Sequence, residues 1–160
     1  MATFVSAAFI DPVHRGMVFN RGAWPLHITL THFTSDLAPG RLAEILDRPA
    51  HVTLGTEIRI GTDDLFGSRR TVPVSLVEHS DVLHRLHEDM VRVLSENGAV
   101  ITSPHFSGEN YRPHVTVTNG RRMNRGDTFR MNQIGLVEMR PDGDATIRRI
   151  PELSEDENLD

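Results

Sequence analysis

Apolar and polar positions along the chain sort into short runs of distinct period. Residues 3 to 10, TFVSAAFI, are apolar almost throughout and predict a mostly buried strand, whereas HITLTHF, 27 to 33, alternates and predicts a half-buried one. Gly16, Gly22 and Pro25 make the connection between them a loop. In PGRLAEILDRP, 39 to 49, Leu42, Ile45 and Leu46 stand at helical spacing, and this helix is expected to end before Pro49. HVTLGTEIRIG, 51 to 61, and RTVPVSLVEH, 70 to 79, read as strands around the turn DLFGSRR, so a first lobe runs strand, strand, helix, strand, strand. Ser80 or Asp81 caps a long helix, DVLHRLHEDMVRVLSENG, whose stripe is Val82, Leu83, Leu86, Met90, Val93 and Leu94 and whose stop is Gly98. Strand HVTVT, 114 to 118, follows. After the polar turn NGRRMNRGD come FRMNQIGLVEM and ATIRRI, which flank the turn RPDGD. Strands and helices mix without regular alternation, which favours an α+β fold over a doubly wound parallel sheet.

One stretch is written nearly twice. WPLHITLT, Trp24 to Thr31, returns 87 positions later as YRPHVTVT, Tyr111 to Thr118, with residue class agreeing at six of eight positions. On a strand, residues two apart share a face. His27, Thr29 and Thr31 are therefore expected on one face and Ile28 and Leu30 on the other, with His32 pointing away from His27. The second copy sets His114, Thr116 and Thr118 against Val115 and Val117. Each copy thus presents an imidazole beside a hydroxyl, backed by apolar residues. If the two strands face each other across a pseudo-twofold axis, the hydroxyls suit the non-bridging oxygens of a phosphodiester and the imidazoles suit the line of attack and departure. Histidine, with an ordinary pKa of about 6.5, serves as acid or base near neutrality.

Composition narrows the ligand. The net charge is −5, but the tail PELSEDENLD holds Glu152, Glu155, Asp156, Glu157 and Asp160 with no base; the remaining 17 acids balance 17 basic residues. A nearly neutral body lacks the basic surplus of a protein that grips long duplex nucleic acid, which favours a small or locally held ligand. All 17 basic residues are arginine, which suits phosphate, although a GC-rich genome accounts for the absence of lysine equally well. Without cysteine there is neither a thiolate nucleophile nor a thiolate metal site. The N-terminal apolar run is too short to span a bilayer and lacks a signal-peptide layout, so a soluble, cytoplasmic monomer with no membrane partner is expected.

With these residues in place the chain resembles the two-histidine (2H) phosphoesterases, the family of 2′-5′ RNA ligase-like proteins and cyclic phosphodiesterases. The resemblance rests on the paired H-x-[ST]-x motifs, His27-Ile28-Thr29-Leu30 and His114-Val115-Thr116-Val117, and covers residues 3 to 150. It implies two pseudo-symmetric lobes of mostly antiparallel sheet with flanking helices and a central cleft. It also implies metal-independent cleavage of phosphodiesters such as 2′,3′-cyclic ends or 2′-5′ linkages, without a cofactor. His27, Thr29, His114 and Thr116 are then the catalytic residues. Residues 1–151 are expected as one bilobal domain and 152–160 as a disordered acidic tail.

Further residues stand near the motifs. Trp24 and Tyr111, each three positions before a motif histidine, are candidates to stack on a base, with core packing as the alternative. Arg112, Arg121 and Arg122 are candidates for substrate phosphate, while Arg125, Arg69 and Arg70 are weaker ones. His84, His87 and Glu88 stand at helical spacing but lack a third ligand, so they read as surface residues and no metal is expected. His14, His32, His51, His79 and His105 follow no usable pattern. The rivals to a phosphodiesterase of nucleotides or RNA ends are a hydrolase of cyclic oligonucleotide signals and a nucleotide-binding module that does not cleave. A histidine-based metalloenzyme comes third.

Overall fold

The strand β1 (Ala2–Phe9) is apolar nearly end to end because both of its faces are covered. Phe4 and Ala8 enter one cluster of buried side chains, and Val5, Ala7 and Phe9 enter another on the opposite face. The computed structural model describes residues 1–102 and 107–157, so His105 and residues 158–160 lie outside the described part. The chain continues through β2 (Val18–Asn20), β3 (His27–Ser35), α1 (Pro39–Thr53), β4 (Glu57–Phe66), β5 (Val72–Val77) and α2 (Asp81–Glu96). It ends with β6 (Val100–Ile101), β7 (His114–Thr116), β8 (Thr128–Arg130), β9 (Gln133–Glu138) and β10 (Ile147–Glu155).

These strands form one sheet in the order β2-β10-β9-β1-β3-β7-β5-β4-β8, with β6 added on β3. Every ladder between named strands is antiparallel. The fold is α+β, as the irregular mixture of elements predicts. The two strands that carry the repeated octet are neighbours at the centre of this order. Each has its own outer partner, β1 for β3 and β5 for β7.

Both helices pack on one face. Leu42, Leu46 and Ala50 of α1 and Leu83, Leu86, Met90 and Leu94 of α2 join Ile28, Leu30, Phe33, Ile58, Ile60 and Val115 in the larger cluster. The smaller cluster, with Phe9, Val13, Phe19 and Ile150, covers part of the other face and receives Trp24 at its margin.

Four expectations are corrected by these elements. The first helix runs through Pro49 to Thr53, because Ala50 and Thr53 continue the buried stripe begun by Leu42 and Leu46; the packing outweighs the one hydrogen bond that proline forfeits. Residues 51 to 53 are therefore helix rather than strand. The expected first lobe is not a spatial unit, since β4 and β5 lie beyond β7 from β1 and β3. FRMNQIGLVEM is not one strand: β8 joins β4 and β9 joins β1, with the fully buried Met131 between them. Glu152 to Glu155, expected in a disordered tail, are the second half of β10 and pair with Leu136 to Gln133. The strand leaves Glu155 exposed while its backbone completes the ladder to β9, which composition alone does not register.

Gly135 in β9 faces Phe9 so closely that an added Cβ would stand 2.8 Å from the ring. Gly135→Ala is expected to lower stability by about 1–3 kcal/mol in urea denaturation, as overpacking does elsewhere; an unchanged midpoint would show that Phe9 can yield freely.

Candidate active site

The two copies of the octet meet through a single pair. Ile28 of β3 is the antiparallel partner of Val115 of β7. That register sets His27 across from Thr116 and Thr29 across from His114, all four on the face opposite the buried Ile28 and Val115.

The imidazoles are anchored identically. His27 Nδ1 donates to the carbonyl of Pro25 at 2.8 Å, and His114 Nδ1 donates to that of Arg112 at 2.8 Å. In each copy the acceptor lies two residues upstream, where the chain enters the strand. The proton on Nδ1 leaves Nε2 as the free basic atom of both rings. The ring of Trp24 stacks on His27 at 4.7 Å and Phe9 stands 6.0 Å away, while Phe66 meets His114 edge-on at 4.5 Å.

This enclosure sets the electrostatics. Desolvation holds the pKa of His27 down at about 4, partly offset by its bond to Pro25 and reinforced by the nearby His114. His114 is lowered as well, again chiefly by desolvation.

The strand β3 departs from strict alternation. Ser6 of β1 pairs with Thr31 but Ala7 pairs with Thr29, so Leu30 is an extra residue in a β-bulge. Leu30 and Thr31 are buried in succession. Thr31 therefore turns inward, where its hydroxyl meets that of Ser6 at 2.5 Å, and His32 turns outward to line the cleft. Both positions reverse the expectation from sequence. The cleft, of about 310 Å³, is lined by Thr29, His32, Phe66, Tyr111, Arg112 and His114 among others, while His27 and Thr116 lie beside it, outside its lining. A larger hollow of about 430 Å³ between α1 and the β9–β10 ladder carries Glu44, Asp47 and Glu152 and no imidazole, so it offers no comparable acid–base pair.

Comparison with known proteins agrees with this geometry. A family model described as the 2′-5′ RNA ligase superfamily matches residues 7–157. The chain belongs to that superfamily of 2H phosphoesterases. Solved structures of similar fold include one described as a phosphoesterase, with TM-score 0.62 at 12% identity over 97% of this chain and 98% of that one. Escherichia coli LigT complexed with NADP+ gives 0.58 at 12% identity, covering 96% of each chain. TT0787 of Thermus thermophilus gives 0.57 at 16% identity, covering 96% of this chain and 97% of that one. No curated protein matches the chain.

Within this member of the 2′-5′ RNA ligase superfamily, the remaining candidate residues take different places. Tyr111 is buried, its ring stacked on His87 at 4.0 Å and its hydroxyl donating to the Thr29 carbonyl at 2.8 Å, and burial raises its pKa. It packs between the two copies instead of offering a free face to a base. Arg112 lies over the Phe66 ring at 5.0 Å and pairs with Asp64 at 3.0 Å on the cleft wall. Arg121 forms a bidentate pair with Asp11 at 2.7 Å, and Asp11 also accepts from the Leu26 amide beside His27. Arg122 is turned to Asp63 and to Ser75, which lies across from Val115 and so on the face away from the histidines. That placement removes Arg122 from the cleft and replaces its expected phosphate contact with a structural one.

His84 is partly exposed, but His87 is buried with α2's apolar stripe and is no surface residue. The signal was legible: His87 stands four positions after Leu83 and three before Met90. For His32 the signal was the break in HITLTHF, where Ile28 and Leu30 are two apart but the next apolar residue, Phe33, follows Leu30 by three, so that strict alternation could not hold through Thr31 and His32. Among the described residues no group of three metal-ligating side chains forms, and no helix is long and apolar enough to cross a membrane.

A histidine whose folded pKa lies below its unfolded value takes up a proton more readily on unfolding. Its contribution to stability is full above about pH 6.5 and is lost as pH falls toward about 4, and His32, His87 and His114 act with the same sign. Urea midpoints are expected to fall between pH 7 and pH 5, above the carboxylate range, and to fall less in His27→Gln. An equal fall in both proteins would remove His27 from the cause.

Proposed function

We propose that this chain is a metal-independent phosphodiesterase that hydrolyses a nucleotide or an RNA terminus, at a 2′,3′-cyclic phosphate or a 2′-5′ linkage. The observation that carries this reading is the shared anchoring of His27 and His114, which presents two Nε2 atoms from paired strands with a threonine across from each. A tetrahedral phosphate seated among the four side chains receives hydroxyl hydrogen bonds from Thr29 and Thr116 on its non-bridging oxygens. Water gives a proton to one Nε2 as its oxygen bonds to phosphorus. The opposite phosphorus–oxygen ester bond breaks, and the departing oxygen takes a proton from the other Nε2. The two rings exchange protonation states in one turnover and are restored through solvent.

Nucleotide binding is supported by superfamily membership and by the nucleotides held by Escherichia coli LigT, described in complexes with 3′-AMP and with NADP+. The aromatic surfaces of Trp24 and Phe66 beside the two histidines suit the flat face of a base. Arg112, already on the cleft wall, suits an anionic oxygen, provided that it releases Asp64.

The reading is tested by turnover, in the presence of chelator, of 2′,3′-cyclic mononucleotides, 2′-5′-linked oligoadenylate and cyclic di- and trinucleotides. One of the first two is expected to be cleaved, and His27→Ala or His114→Ala to lower kcat by at least about 10²-fold. Cleavage of cyclic oligonucleotides alone would move the substrate assignment, and tight nucleotide binding without turnover would favour a binding module. Dependence on added metal would refute the two-histidine chemistry. Because both imidazoles titrate below their ordinary range, the bell-shaped profile of kcat/KM is expected to centre below about pH 6.5. A profile flat from about pH 5 to about pH 9 would contradict the pair.

A further inference from the structure

On the edge of β3 that faces β7, a gap separates two partners. β7 meets the strand at Ile28, and β6 meets it at Phe33 and Thr34. The bulge falls in that gap. The backbone carbonyls there are taken by groups from outside these ladders: the Tyr111 hydroxyl donates to Thr29 at 2.8 Å, His87 Nδ1 to Leu30 at 2.6 Å, and the Thr102 amide to His32 at 2.9 Å. In a regular strand the carbonyls of consecutive residues point to opposite edges. Here those of Thr29 and Leu30 are met by two rings stacked 4.0 Å apart with planes 5° from parallel. Two donors that close together can serve consecutive carbonyls only where the strand is bulged.

His87 has no freedom in this arrangement. With Nδ1 donating, its Nε2 accepts, and the Gly108 amide donates to it at 3.0 Å. Gly108 opens the short 3-10 turn Gly108–Asn110 that leads into Tyr111, Arg112 and His114. The stacked pair therefore ties α2 to both copies of the motif. Without the bulge, β3 would continue the register Phe9 with His27, Ala8 with Ile28 and Ala7 with Thr29, placing Thr31 on the cleft face and His32 on the helix side.

We propose that Tyr111 and His87 are positioning residues of the cleft: by holding the carbonyls of Thr29 and Leu30 they fix Thr29 against the phosphate site and keep His32, rather than Thr31, on the cleft face. The kinetic consequence rests on the phosphodiesterase reading; the conformational one does not.

Three variants separate this role from general packing. Tyr111→Phe removes the hydroxyl and keeps the stacked ring. His87→Gln keeps an acceptor near the Nε2 position but loses the donor to Leu30. His87→Asn keeps a donor near the Nδ1 position. In Tyr111→Phe and His87→Gln, kcat is expected to fall about tenfold with KM within about twofold, and His87→Asn to recover most of the rate. The imidazole ¹⁵N resonances of His32, which is hydrogen-bonded to Thr102, are expected to shift in the first two variants and to stay near wild type in the third. Wild-type kcat with unmoved His32 resonances in Tyr111→Phe and His87→Gln would overturn the proposal, as would His87→Asn impaired equally with His87→Gln. If the wild type cleaves none of the phosphodiesters, the phosphodiesterase reading fails, and the His32 resonances still decide whether the pair holds the bulge.

Discussion

The structure depends on one backbone contact between two strands, Ile28 against Val115. It joins the two halves of the sheet order at their centre, and it is the contact that sets His27 beside Thr116 and Thr29 beside His114. A slip by one residue would turn an entire motif to the other face. The register is protected by burial: Ile28 and Val115 are almost fully removed from solvent in the cluster that both helices cover. The same apolar residues that stabilise the fold therefore place the polar ones, and no separate device is needed to align the two motifs.

Enclosure then determines what the imidazoles are. Trp24 and Phe9 around His27, and Phe66 against His114, remove water from rings whose Nδ1 protons are committed to backbone carbonyls. Desolvation favours the neutral form of both, which is the form with a basic Nε2. On the proposed reading, an incoming phosphodiester brings a negative charge into the same space and would stabilise one imidazolium, which then serves as the acid. The three candidate arginines follow a consistent pattern: Arg112 on the cleft wall, Arg121 and Arg122 are each paired with an aspartate.

Much of this was legible in the sequence. The doubled octet identified the two strands and their apolar backing at Ile28 and Val115, because a period of two holds wherever a strand is unbulged; past the bulge it failed for Thr31 and His32. The second helix was legible from its stripe and from Ser80, whose side chain accepts from the Leu83 amide at 3.2 Å. What escaped was decided by tertiary pairing. Pro49 did not stop α1 because residues beyond it pack, and the acids of Glu152 to Glu155 did not keep β10 from forming because the backbone, not the side chains, completes the ladder. The bulge at Leu30 shows in HITLTHF only as the three-residue step from Leu30 to Phe33, while the groups that meet it, Tyr111 and His87, lie 81 and 57 positions away from that residue. Tyr111 was left between base stacking and core packing by its place three residues before His114, and the fold decides for packing by giving its hydroxyl a carbonyl partner.

The central claim is that the four motif side chains surround one phosphorus site. It is tested most directly by a crystal structure of the protein with orthovanadate. The account predicts vanadium centred among them, with the Nε2 atoms of His27 and His114 and the hydroxyls of Thr29 and Thr116 each within hydrogen-bond distance of a vanadate oxygen. Vanadate held elsewhere, for example by Arg122 with the histidines unoccupied, would contradict it.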